Sequence, residues 1–288
     1  MKTLQQLADE GELFTSFESE TVKQQLFEEV LRSSIEARVG RQLMRVVKMG
    51  AGTTLDFIRA DKDTMEFRLT AEGAEIPIDA EAYTKVQVTP LKYANQVVIS
   101  SELQEDANWD IMRMNLQQAG REYGAKEDAI IVAAMANSTY GFEASVTPSA
   151  HAWSTSGSEL SVSDIANAMY LIESQDYAPN AMLTNPKQIY ELRQIDTFVE
   201  ADKVGNRVTF EKGFVGKIFG MEVVISSSCT ADKVYVLDTN YAGVLVIRRP
   251  LTMKTFELPN RDVIAAALTS RFASKMTHPD AGSQITVS

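Results

Sequence analysis

Between Tyr93 and Ala136 the spacing of apolar residues changes from that of a strand to that of a helix. Tyr93 to Ser100 ends in the β-branched run Val97-Val98-Ile99 without Gly or Pro, which predicts a strand. Ser101 followed by Gln104 fits a capping box, in which the two side chains each satisfy one orphan N–H of a helix start. From Trp109 onward Met112, Leu116, Ala119, Tyr123 and Ile130 recur at helical spacing, while Arg113, Asn115, Gln117, Gln118, Arg121 and Glu122 cover other faces. A long amphipathic helix is therefore expected from about Trp109 to Met135. Gly120 and Gly124 each cost such a helix about 1 kcal/mol relative to Ala, and a close approach by another backbone would account for both.

Upstream, Leu26, Val30 and Leu31, then Ile35, Val39, Leu43 and Val46 are spaced for one or two helices, interrupted around Ser33-Ser34 and at Gly40. Gly50-Ala-Gly-Thr53 breaks this pattern. Leu55, Phe57, Met65, Phe67 and Leu69, then Tyr83, Val86 and Val88 on the return, predict a long hairpin with one apolar face over residues 53–90. A two-stranded hairpin is marginal by itself, so another part of the protein or another subunit must support it.

Downstream, residues 137–158 are rich in Ser, Thr and Ala and mark a boundary. Ser161-Val-Ser-Asp164 starts a helix, Ala181 to Leu183 reads as a short strand, and Asn185-Pro186 opens a further helix with Pro at its first position. Phe198 to Phe214 reads as an exposed loop or hairpin. Gly216 to Ile225, Val234 to Leu237 and Val244 to Ile247 read as strands, and so does Leu251 to Phe272. There is no internal repeat.

Charge divides the first fifty residues. Asp9, Glu10, Glu12, Glu18, Glu20, Glu28 and Glu29 precede the basic set Arg32, Arg38, Arg41, Arg45 and Lys48, as expected of a solvated face or of an arm that pairs with neighbouring subunits. The whole chain of 288 residues has a formal net charge of −11. That balance argues against a phosphate-binding surface, which relies on Lys and Arg, yet suits a wall that encloses nucleic acid without trapping it. The single cysteine, Cys229, cannot form an internal disulfide and has no zinc-ligand spacing around it. The N-terminus lacks the apolar segment of a signal peptide and no run of 18 apolar residues occurs, so a soluble cytosolic product is expected.

Candidate chemistry is sparse. The two histidines, His151 and His278, lie in loop-like stretches. Lys212-Gly-Phe-Val-Gly-Lys217 has too short a glycine spacing for a phosphate loop, and no Ser or Thr follows the lysine. Asp61 and Asp63 lack a third ligand and read as a turn. No catalytic residue, metal site or cofactor is expected.

The order of Glu72-Gly-Ala-Glu-Ile-Pro77, Val86-Gln-Val-Thr-Pro-Leu-Lys92, Val98-Ile-Ser-Ser-Glu-Leu103, Glu105-Asp106 and the helix ending Glu127-Asp128-Ala-Ile-Ile131 resembles the HK97-type major capsid proteins of tailed phages and related viruses. The likeness covers about a quarter of the chain. It implies an α+β fold: an N-terminal arm (1–50), an extended hairpin or E-loop (51–91), a peripheral domain with its spine helix (92–140), an axial domain (141–249) and returning peripheral strands (250–288). It also implies self-assembly into pentamers and hexamers of an icosahedral shell around double-stranded DNA, in the virion, after assembly in the host cytoplasm. Portal, scaffolding and decoration proteins are implied partners; sequence-specific DNA binding and membranes are not. The chain opens directly with the arm, so scaffolding is expected from a separate protein or not at all. Some relatives crosslink an E-loop Lys to a peripheral Asn with a Glu nearby. Here Lys62 and Lys85 flank the hairpin, Asn260 and Glu257 are the nearest counterparts, and the tip is acidic, which argues against that reaction.

The tip residues Glu72, Glu75, Ile76, Ile78, Asp79 and Glu81 are expected to meet basic residues of an adjacent subunit, drawn from Arg38, Arg41, Arg45, Lys254, Arg261 and Arg271. An encapsulin-type compartment of the same fold is one alternative function, and an acidic hydrolase a weaker one.

Overall fold

The computed structural model describes residues 20–60, 67–73, 75, 78, 82–100, 102, 111–137, 139–142, 152–154, 160–193, 217–258 and 262–287. The sequence-predicted cap at Ser101 and Gln104, the loop over Phe198 to Phe214, and Asp61, Lys62, Asp63, His151 and Asn260 lie outside these residues.

One lobe is a four-stranded sheet covered on one face by two helices. Its strands are β1 (Arg45–Lys48), β4 (Leu91–Ser100), β10 (Gly243–Leu258) and β11 (Val263–Met276), in the order β1-β10-β11-β4. The helices are α1 (Glu20–Ala37) and α2 (Ile111–Met135). Alternation along β11 sends Ile264, Ala266 and Leu268 toward them, where they pack with Leu26 and Val30 of α1 and Met112, Leu116 and Ala119 of α2, while Phe272 on the same face meets the Tyr123 ring of α2 edge-on. Burial of each such aliphatic side chain contributes about 1.5–3 kcal/mol.

The two helices run side by side in the same direction. A Cβ on Gly120 would lie 2.7 Å from the Val30 carbonyl oxygen, and one on Gly124 only 2.8 Å from that of Ser34. The glycines are thus the seat of α1, as their cost in the helix suggested. The expected break at Ser33-Ser34 does not occur. Both hydroxyls turn back onto carbonyls three residues earlier, Ser33 on Val30 at 3.0 Å and Ser34 on Leu31 at 2.7 Å, which satisfies them within a helix held along α2. It ends before Gly40, where a short 3-10 turn spans Gly40–Leu43.

The second lobe is a six-stranded sheet: β5 (Ala152–Ser154), β6 (Ala181–Thr184), β7 (Lys217–Ile218), β8 (Met221–Ile225), β9 (Lys233–Leu237) and β12 (Gly282–Thr286), ordered β5-β12-β9-β6-β8-β7. Helices α3 (Val162–Glu173) and α4 (Pro186–Arg193) accompany it. Ser161 caps α3 in a capping box with Asp164, as its sequence predicts. The lobes share one core, in which Ile131, Val132 and Met135 of α2 meet Leu245, Phe272 and Met276 of the first sheet and Leu183, Tyr235 and Leu237 of the second.

Residues 243–249 belong to the same continuous strand as 250–258 and sit in the first sheet, because β10 pairs with β11 across its length. The last strand, β12, leaves the first sheet and inserts between β5 and β9, where Ile285 is fully buried.

Candidate assembly interface

The third sheet is the hairpin itself, β2 (Leu55–Ala60) and β3 (Tyr83–Val88), paired from Leu55 with Val88 to Ala60 with Tyr83. Period-two alternation puts Leu55, Phe57, Val86 and Val88 on one face, and this face packs on Met49, Val244 and Val246 at the start of β10. Tyr83 has the opposite parity to Val86 and Val88, so it falls on the outer face and is exposed, contrary to the single apolar face expected of it. The root is also held by polar contacts. Lys275 Nζ donates to the Gln87 carbonyl at 3.1 Å, Arg59 donates to that of Thr277 at 3.5 Å, and Lys85 pairs with Asp56 at 2.8 Å.

Beyond the root the hairpin leaves the body. Phe67, Leu69 and Ile78 are 106%, 105% and 93% exposed, and Glu72 and Glu75 are exposed beside them. Ile76, Asp79 and Glu81 lie outside the described residues. A run with three large apolar side chains and two carboxylates in open solvent has the composition of an interface held out to another molecule.

The candidate basic partners fall in two groups. Arg38 and Arg41 are engaged within their own subunit. Arg41 pairs bidentately with Glu127, donating from Nε to Oε1 and from Nη2 to Oε2, the latter at 2.9 Å, and Arg38 reaches the same carboxylate at 3.8 Å. Burial would lower the Arg41 pKa, but the hydrogen bonds and charge of Glu127 raise it, whereas burial and the neighbouring Arg41 lower that of Arg38. Arg45 is exposed on β1, and Arg261 lies outside the described residues.

Lys254 and Arg271 lie on the sheet face turned away from α1 and α2. There the register sets Lys92 opposite Arg271 and Arg271 opposite Arg249, three cations in a row across three strands, with Lys254 opposite Ala267 on the same side. β4 and β11 carry no acidic residue. Like charges directly opposite across strands oppose sheet pairing. Arg271 donates to the Pro90 carbonyl at 3.3 Å, and the buried Nε of Arg249 has no hydrogen-bond partner among the described residues. This face suits an anionic partner.

Sequence reasoning missed the carboxylates that hold the arm. In the sequence Glu127 and Asp128 carry no role beyond the family likeness, yet both are buried. Asp128 accepts the backbone N–H groups of Val39 (3.0 Å) and Gly40 (2.8 Å); burial raises its pKa and those two donors partly oppose the rise. Glu29 of α1 accepts from Arg113 and Gln117 of α2. The available signal was the pair of adjacent acids after Gly124 together with the basic run at Arg38 and Arg41, a complementarity within one chain.

The sequence profile of the phage capsid family matches residues 19–283. The chain belongs to the phage capsid family. No curated protein matches it in sequence. Among solved structures, the capsid of cyanophage P-SCSP1u superposes with a TM-score of 0.68 at 15% identity, over 88% of each chain. The capsid of a native GTA particle gives 0.67 at 15% identity, over 87% of this chain and 91% of that one. An encapsulin complex from Synechococcus elongatus gives 0.61 at 12% identity, over 85% of each. The fold is HK97-like, and the protein is a structural shell subunit of phage type. Among the described residues, Phe67, Leu69 and Ile78 of the hairpin are the most exposed large apolar side chains. Among the described residues no cluster of His, Cys, Asp or Glu could hold a metal ion, and no helix is long and apolar enough to cross a membrane.

Proposed function

We propose that the chain is the major capsid protein of a tailed virus, forming the pentamers and hexamers of an icosahedral shell around double-stranded DNA, without enzymatic activity of its own. The observation that carries this reading is the hairpin, which is anchored at its root by Val86, Val88 and Lys275 and unsupported beyond it. A subunit built this way is complete only beside another copy. The net charge of −11 suits a wall that confines DNA without binding it tightly.

In this reading the acidic tip, Glu72 and Glu75 with Ile78 and the further residues Ile76, Asp79 and Glu81, lies across the cationic face of an adjacent subunit. Arg271 and Lys254 are its main partners, joined by Lys92 and Arg249. Arg38 and Arg41 serve the arm of their own subunit instead, while Arg45 and Arg261 are further cations available to the neighbour. The family domains follow the order arm, E-loop, peripheral and axial, with residues 243–258 counted with the peripheral sheet and 282–286 with the axial one. Portal, scaffolding and decoration proteins would complete a virion assembled in the host cytoplasm.

A second reading, an encapsulin-type compartment, draws support from the likeness to the Synechococcus encapsulin. The contents of particles isolated from the producing cell separate the two. Nuclease-resistant double-stranded DNA is the expected result; a protein cargo without nucleic acid would replace the viral reading by the compartment one.

A further inference from the structure

A half-buried histidine sits where the two sheets and the root of the hairpin meet. β11 ends at Met276 and β12 begins at Gly282, so residues 277–281 cross from one sheet to the other. His278 lies in this crossing. Its ring stands edge-on to Tyr241 with centroids 6.3 Å apart, and Tyr177 lies 6.3 Å from His278 and 5.7 Å from Tyr241. The backbone N–H of His278 donates to the Ala242 carbonyl at 3.3 Å, and Nδ1–H donates to that of Tyr241 at 3.0 Å. A carbonyl can only accept, so the neutral ring carries its proton on Nδ1, and Nε2 is the atom that takes up a second one. The hairpin reaches the crossing through Arg59, which donates to the Thr277 carbonyl at 3.5 Å. We propose that His278 is a proton-operated latch: neutral, it lets Arg59 hold the hairpin root to the crossing, and protonated, it repels Arg59 and loosens the root. The latch belongs to the folded subunit and does not depend on the shell reading.

The surroundings favour the neutral ring. Burial opposes the charged form most, and the positive charges of Arg59 on β2 and Arg45 on β1 add to it. Asp280, in the 3-10 turn Pro279–Ala281, and the Tyr241 carbonyl act the other way without prevailing, so the pKa lies below the ordinary 6.5. The neighbouring Tyr177 feels the same Arg59 and Asp280, together with Asp238. A histidine with a lowered folded pKa contributes stability that is fully present above its ordinary value and lost as the pH falls through the folded one. The contact exposed to the new charge is the one Arg59 makes, whereas the inner face of the root stays on Met49, Val244 and Val246. The hairpin therefore loosens while the body stays folded.

The test is amide hydrogen exchange of the unassembled full chain, corrected for intrinsic rates, at about pH 7.5 and about pH 5, the span in which histidine titrates. Protection of the β2 and β3 amides should fall several-fold at the lower pH while that of β6 and β9 holds. H278Q, neutral throughout, should keep the root protected at both values. H278R, charged throughout, should leave it loose at both. R59Q removes the repelled cation, so its root should be looser at neutral pH yet nearly indifferent to acid. A native root equally protected at both values, an acid response kept in H278Q or R59Q, a tight root in H278R, or a loss shared equally by β6 and β9 would each overturn the latch.

Discussion

Arg41 and Glu127, 86 residues apart in sequence, form a bidentate ion pair whose carboxylate is only 1% exposed. The pair fixes the turn that follows α1 to α2 of the same subunit. Removing one partner of such a pair leaves an uncompensated buried charge, which costs about 3–5 kcal/mol. R41M should therefore lower subunit stability by about 3 kcal/mol, Arg38 at 3.8 Å compensating only in part. Urea denaturation of the unassembled subunit measures it; a loss under about 1 kcal/mol would show that the pair is not needed to hold the arm.

The glycine seat gives a prediction in which two effects compete. Gly120→Ala should gain about 1 kcal/mol of helix propensity, but its Cβ would press on the Ser33 hydroxyl and stand 2.7 Å from the Val30 carbonyl oxygen. Overpacking of that kind costs about 1–3 kcal/mol, and G120L more than G120A. Net destabilisation in both, seen as a lowered Tm, is the expected result, whereas a raised Tm in G120A would mean that α1 does not sit where the glycine admits it.

Glu29 sets a pH dependence. Burial alone would raise its pKa, but hydrogen bonds from Arg113 and Gln117 and the Arg113 charge overcome this and hold it below the ordinary 4.5. A carboxylate with a lowered folded pKa contributes stability that is fully present above its ordinary value and lost as the pH falls through the folded one. Asp128 has the opposite sign: its raised folded pKa makes its contribution largest in acid and lost as the pH rises through that value. E29Q should thus flatten the acid side of the stability profile below about pH 4.5, and D128N should not. Identical acid limbs for wild type and E29Q would remove this account of the arm.

Much of this architecture was legible because the signals were local. The alternation of Val86 and Val88, the cap at Ser161 and the helical spacing of Met112, Leu116 and Ala119 each act within a few residues. Gly120 and Gly124 gave a long-range hint, since only a close neighbour explains two glycines in one helix face. What escaped the sequence was decided by distant partners. Ser33 and Ser34 stay helical because α1 is packed along α2, Arg38 and Arg41 are drawn to Glu127, and β12 leaves its sheet to complete another. The cationic row of Lys92, Arg271 and Arg249 depends on register, which no single strand encodes.

The acidic tip and that row should be coupled electrostatically. Replacing Glu72, Glu75 and Glu81 by Gln and Asp79 by Asn should weaken assembly and reduce its salt dependence, with subunit folding intact. Exposed pairs contribute only about 0.2–1 kcal/mol each, and a Debye length near 8 Å at physiological salt screens them further. Light scattering across a salt series reads the effect. Equal assembly of the variant and the native chain at every salt concentration would assign the contact to the apolar residues alone.

Electron microscopy of the protein produced by itself, after purification by size, tests the central claim most directly. Closed shells of uniform diameter, built from five-subunit and six-subunit clusters in which each hairpin crosses to a neighbour, are the predicted result. A population that remains monomeric across concentration and salt, with the hairpin folded back onto its own sheet, would contradict it.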